Sequence, residues 1–234
     1  MAVNVDTVYQ KVLMLANKEQ RGYITPQEFN LLADKAQLEI FDSYFHDLKM
    51  AYHKPTKNQL GVAFDEIEML QEKLNPFKVV ATITQVADDA TMNIAAQNVY
   101  LIDNLLQANR DVTELSGKEI LYTQNNPLTA ATIARRVYVR ETNSILRLYP
   151  TPLVETDFDL HYWSRPPAPN WGYVVVNKRA LYNNSAATNF SLHASEEENL
   201  VSRILQLAGV VIMKPGIVEI GAAEKAATKA EQNN

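Results

Sequence analysis

Apolar residues recur at three- and four-residue spacing from the start of the chain. Val5, Val8, Tyr9, Val12, Leu13 and Ala16 make one helical stripe, with Asn4 or Asp6 available as its cap. Thr25-Pro26-Gln27-Glu28 reads as a capping box, with a threonine cap, proline at the first helical position and glutamate at the third. The helix it opens carries Phe29, Leu32, Ala33, Ala36 and Ile40 on one stripe and Leu31, Leu38, Phe41, Tyr44 and Phe45 on a second. A helix apolar on two sides sits centrally in a bundle or meets a partner. Pro55 ends this region, and Val62–Leu74 predicts a third helix closed by Asn75-Pro76.

From Phe77 the period changes. Val79–Val86 is β-branched and short, and Ala134–Arg140 and Ile145–Tyr149 flank Glu141-Thr142-Asn143-Ser144, a hairpin turn. Phe158, Leu160 and Tyr162 alternate with Asp159, His161 and Trp163, which predicts a strand with at least one wet face. Val99–Leu106 fits strand and helix equally, and Ser116–Asn126 predicts a short helix stopped before Pro127. A second strand follows the proline-rich loop after Trp163. Ser195 and Glu198 form a second capping box, followed by the stripe Leu200, Val201, Ile204, Leu205 and Ala208, which Pro215-Gly216 breaks. The expectation is an α+β chain with an N-terminal helical layer, a small antiparallel β-domain, a C-terminal helix and an extended tail. Residues 1–214 read as one domain, helical over 1–75, β-rich over 76–193 and helical over 194–214. Residues 215–234, polar and alanine-rich, read as a tail that is flexible or orders against a partner.

Composition narrows the chemistry. The 234 residues suffice for one substantial core. Twenty-two basic against 27 acidic residues leave a net charge of -5, which disfavours general attraction to nucleic acid. No cysteine is present, so disulfides, thiolate metal sites and cysteine nucleophiles are excluded. Seven glycines form no GxGxxG, GxxxxGK[ST] or GxSxG. The acidic N-terminus lacks the basic start of a signal peptide and no apolar run reaches membrane-spanning length, so the expectation is a soluble cytoplasmic chain.

Few residues suggest a site. His46, His53, His161 and His193 lack the spacing that puts two imidazoles on one metal, so neither a metal nor a cofactor is expected. Asp88-Asp89 and Glu196-Glu197-Glu198 fan apart rather than converge, and capping accounts for the glutamates. Arg135, Arg136 and Arg140, with Arg147, make a basic hairpin whose bland reading is a solvated face and whose sharper one is contact with DNA. Trp163, Arg165, Pro166, Pro167, Pro169, Trp171 and Tyr173 form a stiff aromatic loop. It reads as a protein-interface anchor or as two tryptophans closing one end of the sheet core, and the two are compatible. Ile217 and Ile220 in the tail are further interface candidates.

Four stretches together carry a resemblance: Leu15–Phe41, Pro76–Val79, Arg165–Asn183 and Leu192–Val210. They resemble virion structural proteins of tailed phages, particularly marine short-tailed phages and the crAss-like group. The element order is also similar to the adaptor, or tail tubular, proteins of short-tailed coliphages. The resemblance implies a ring of several copies, commonly twelve, at the head-to-tail connector in the virion, assembled in the bacterial host cytoplasm. It implies the portal protein and other connector or tail proteins as partners, with DNA only as passing cargo, no membrane and no enzymatic activity. An acidic channel lining suits sliding DNA. The alternatives are a monomeric head-completion or neck protein and, in other classes, a virion-associated nucleic-acid-binding module or hydrolase.

Overall fold

The computed structural model describes residues 2–18, 24–53, 60–84, 90–151 and 157–211. The chain is α+β, as its pattern predicts. It divides into two compact units where the sequence reads as a single domain: Met1–Pro76 with Pro166–Asn234, and Phe77–Arg165. Loss of helical period at Phe77 marks the first boundary.

The first unit holds α1 (Val5–Lys18), α2 (Pro26–His53), α3 (Leu60–Leu74) and α5 (Glu197–Val211). Asn4 caps α1 by accepting from the backbone N–H of Asp6 (2.8 Å) and Thr7 (3.3 Å). Thr25 and Glu28 close their box reciprocally, with Thr25 N–H to Glu28 at 2.9 Å and Glu28 N–H to Thr25 Oγ1 at 3.3 Å. Helix α2 packs on α5 and α3, and α1 packs on α5. Val5, Val8, Val12, Phe29, Ala33, Phe41, Leu200 and Ile204 are buried, each large one contributing about 1.5–3 kcal/mol through lost apolar surface. The two stripes of α2 merge into one broad face on which Phe29, Ala33, Ala36, Ile40, Phe41 and Tyr44 are buried and Leu32, Leu38 and Phe45 half-buried, whereas Leu31 is 75% exposed.

Helix α5 starts differently from its predicted capping box. A 3-10 turn, Ala194–Glu196, precedes it, and His193 caps that turn by accepting from Ser195 N–H at 3.3 Å. Glu198 is drawn instead to Lys11 of α1, as is Glu197 at 2.8 Å. Glu196 is buried and pairs with Lys73 of α3 at 2.8 Å. The glutamate run therefore ties α5 to two other helices rather than serving only its own first turn. Hydrogen bonds to Glu197 and Glu198 hold the Lys11 ammonium above its ordinary range. Burial pushes the nearby Tyr44 hydroxyl up, and the Glu196 carboxylate adds to it.

The second unit is a seven-stranded sheet in the order β1-β7-β3-β4-β5-β6-β2. The strands are β1 (Lys78–Thr84), β2 (Thr91–Asn93), β3 (Val99–Gln107), β4 (Arg110–Glu114), β5 (Val137–Arg140), β6 (Ile145–Tyr149) and β7 (Asp157–Ser164). The sheet is mixed, not purely antiparallel: β4 and β5 run parallel, pairing Thr113 with Val137 and Glu114 with Tyr138. Parallel neighbours need a long crossover, and the chain between them supplies it, including α4 (Gly117–Asn125). Ser116 and Glu119 cap α4 with a full capping box. Inward residues Ile83, Met92, Leu105, Val112, Leu146, Leu148, Phe158, Leu160 and Tyr162 build one core, and Ile120 of α4 packs with Val137 and Val139 in a second. Strand β3 is irregular at two places, between Val99 and Leu101 and between Ile102 and Asn104, which blurs its alternation.

Candidate interaction site

Trp171 is the pivot of the proline-rich loop's far end. It is 3% exposed, inside the first unit, where its indole N–H donates to Asp6 at 2.8 Å. Its backbone N–H donates to Asn30 Oδ1 at 2.8 Å. The ring lies 4.3 Å from Tyr9, centroid to centroid, and within 6 Å of Tyr173 and Tyr182. Gly172 follows with no room for a side chain: a Cβ there would stand 2.6 Å from Ala186 C and 2.7 Å from Asn183 O.

On this base stands a two-stranded ribbon, β8 (Tyr173–Val176) and β9 (Arg179–Tyr182), whose strands pair only with each other. Asn177 and Lys178 both have positive φ (50° and 64°), the signature of the two-residue type I′ hairpin turn. Register places Val174 beside Leu181 and Val176 beside Arg179 on one face, with Tyr173, Val175, Ala180 and Tyr182 on the other. Val174, Val175, Val176 and Leu181 are all exposed, Val175 by 64%. Apolar strands left in water this way are the mark of a contact surface.

The other candidates divide between the two units. Trp163 is half-buried on the outer face of the sheet, with Lys78 Nζ 5.7 Å over its ring. Arg165 is exposed, and its backbone is held by Asn98. Pro166 and Pro169 are buried, whereas Pro167 is exposed and its carbonyl accepts from Gln37 at 2.8 Å. Gln37 is itself buried and accepts from Ser191 N–H at 3.0 Å. Trp171, Pro166 and Pro169 are therefore internal to their own chain, so of the expected anchor loop these three are buried within the first unit. Burial among α1, α2 and the ribbon's tyrosines consumes the tryptophan's surface. Tyr173 is half-buried at the ribbon's foot. The sheet core takes neither tryptophan.

The arginine group also separates. Arg136 is buried, donates to Ile133 O and lies 6.0 Å from the Phe158 ring, so it does not face DNA. Arg135 is exposed and bound to Thr129 O, Arg140 is exposed, and Arg147 pairs with Glu141. No group of three metal-ligating side chains occurs among the described residues. Ile217, Ile220 and the Asp88-Asp89 pair lie outside the described residues.

The second strand expected after the proline-rich loop is in fact a two-stranded ribbon. Its signal was the Asn177-Lys178 break between two β-prone runs, Tyr173–Val176 and Arg179–Tyr182. Across known proteins, no family model matches the chain, and no curated protein matches it.

Proposed function

We propose that the chain is a non-enzymatic structural protein of a phage virion, forming a ring at the head-to-tail connector that joins portal to tail around the DNA channel. The observation that supports this reading best is the exposed apolar ribbon seated on a rigid base. A surface of that kind makes contacts rather than chemistry, and its anchors keep it in place before a partner arrives. Protein–protein recognition favours such preorganised elements because less freedom is lost on binding. The resemblance of Arg165–Asn183 and Leu192–Val210 to phage virion proteins supplies the setting. In it, copies of this chain, the portal and other connector or tail proteins are the partners, and DNA passes without specific contact.

Mass spectrometry of purified particles, followed by a cryo-EM map of the connector, tests the reading. The expected result is this chain in the particle, as a closed ring against the portal. Its absence from intact particles overturns the reading. Isolated copies at the portal, without contact between them, would leave the neck-protein alternative.

A further inference from the structure

We infer that the β8–β9 ribbon of one copy lies on the outer face of the β1–β7–β3 sheet of a second copy. This deepens the ring reading and rests on it. Two surfaces on the chain carry the inference, and their patterns match.

The ribbon is apolar with a basic tip. Between Tyr173 and Tyr182 its only charges are Lys178 and Arg179, and it holds no acid. Neither makes an ion pair among the described residues. One face presents two rows, Val174 with Leu181 and then Val176 with Arg179. Those rows are roughly 7 Å apart, two residues of strand.

The sheet is patterned in the same two steps. Its inner face is filled by Ala81, Ile83, Phe158, Leu160 and Leu105. Its outer face therefore carries Val80 beside His161, and in the next row Thr82 beside Asp159. Leu101 stands beside Trp163, and Leu106 lies between Asp159 and Asp111. Val80 is 55% and Leu101 43% exposed. The Asp111 and Asp159 carboxylates, with Asp157 one row on, have no cationic partner among the described residues, though Thr82 and Thr84 donate to Asp159 and Asp157. One end of the face is thus mainly apolar, with Lys78 beside Trp163 already neutralised by Asp103, and the other is acidic.

Laying the valine face on the sheet places Val174 and Leu181 over the Val80 row. The same placement brings Arg179 to Asp159, one row further on. Charge complementarity of this kind fixes register as well as partner. The acidic chain itself is the occupant that offers this face. Because ribbon and sheet are different surfaces of one chain, each copy offers one and receives the other. Where two copies do not exchange ribbons within one pair, such a head-to-tail contact closes a larger ring or extends a filament.

Absence of cysteine makes disulfide trapping clean. Val174→Cys in one preparation and Val80→Cys in another are mixed at high concentration and oxidised. Disulfide-linked dimers are expected well above a control mixture of Val174→Cys with Met14→Cys. Arg179→Glu in the first chain should cut their yield about tenfold or more, and Asp159→Arg in the second should restore it. Trapping no greater than the control, or loss that the paired reversal does not repair, overturns the inference. Circular dichroism of each variant confirms that it remains folded. Failure here, with the chain found as a ring in particles, discards the ribbon contact alone; absence from particles discards the ring reading instead.

Discussion

The indole N–H of Trp171 donates to the carboxylate of Asp6 at 2.8 Å, across 165 residues of chain, and so fixes the ribbon's foot to the first turn of α1. Trp171→Ala should therefore lower the stability of the free protein by about 3–5 kcal/mol, through lost packing and a cavity. Trp171→Phe keeps most of the ring but orphans the Asp6 oxygen, at a smaller cost of about 1–3 kcal/mol. Urea unfolding followed by far-ultraviolet circular dichroism measures both. A melting curve unchanged by the alanine would show that the tryptophan is not the anchor its geometry indicates.

Gly172→Ala should destabilise by about 1–3 kcal/mol or more, because the added carbon meets backbone atoms of Asn183 and Ala186 rather than a movable side chain. Trypsin cleavage after Lys178 or Arg179 should quicken as the ribbon loses its seat. Unaltered cleavage and stability would contradict the close approach.

Lys73 and Glu196 are a mostly buried ion pair, their side chains 15% and 5% exposed. Removing one partner is expected to cost more than removing both. Lys73→Met leaves a buried carboxylate without its cation, at about 3–5 kcal/mol, whereas Lys73→Met with Glu196→Leu should recover much of that loss. A double-mutant cycle in thermal unfolding reads the coupling, and simple additivity would refute it.

The caps of α2 and α4 predict a pH signature. Glu28 and Glu119 are each held below the ordinary carboxylate value of 4.5, first by the backbone N–H of Thr25 or Ser116 and then by its hydroxyl. A lowered folded-state value means the stabilisation is present above that ordinary value and fades as pH falls through the folded one. Glu28→Gln and Glu119→Gln should therefore be less stable than the parent near neutral pH, with the gap closing in acid. A gap that widens on acidification would reverse the assignment.

Helices were legible because their signals are local. The stripe of α1, the Thr25 box and the Leu200–Ala208 stripe all lie within a few residues of the structure they specify. Strands β5, β6 and β7 showed through alternation. Strand β3 did not, since its two irregularities shift Tyr100 and Asp103 out of period. The parallel β4–β5 pairing left no local trace, because it joins residues separated by a helix. At the site, residue type pointed to Trp171 but not to its surroundings. Aromatic residues serve interiors and interfaces alike, and only Asp6, Tyr9 and Asn30, distant in sequence, decide between them.

The sheet unit enters and leaves the chain through neighbouring strands. Lys78 pairs with Trp163, and Ser164 Oγ donates to Phe77 O at 3.3 Å, so its two ends meet side by side. An insert with adjacent ends behaves as a cassette, since a short bridge can span the gap it leaves. Lineages could exchange, enlarge or delete everything from Phe77 to Arg165, α4 included, while α1, α2, α3, α5 and the ribbon stayed as they are. The helical unit with its ribbon and the sheet unit are then free to diversify at different rates.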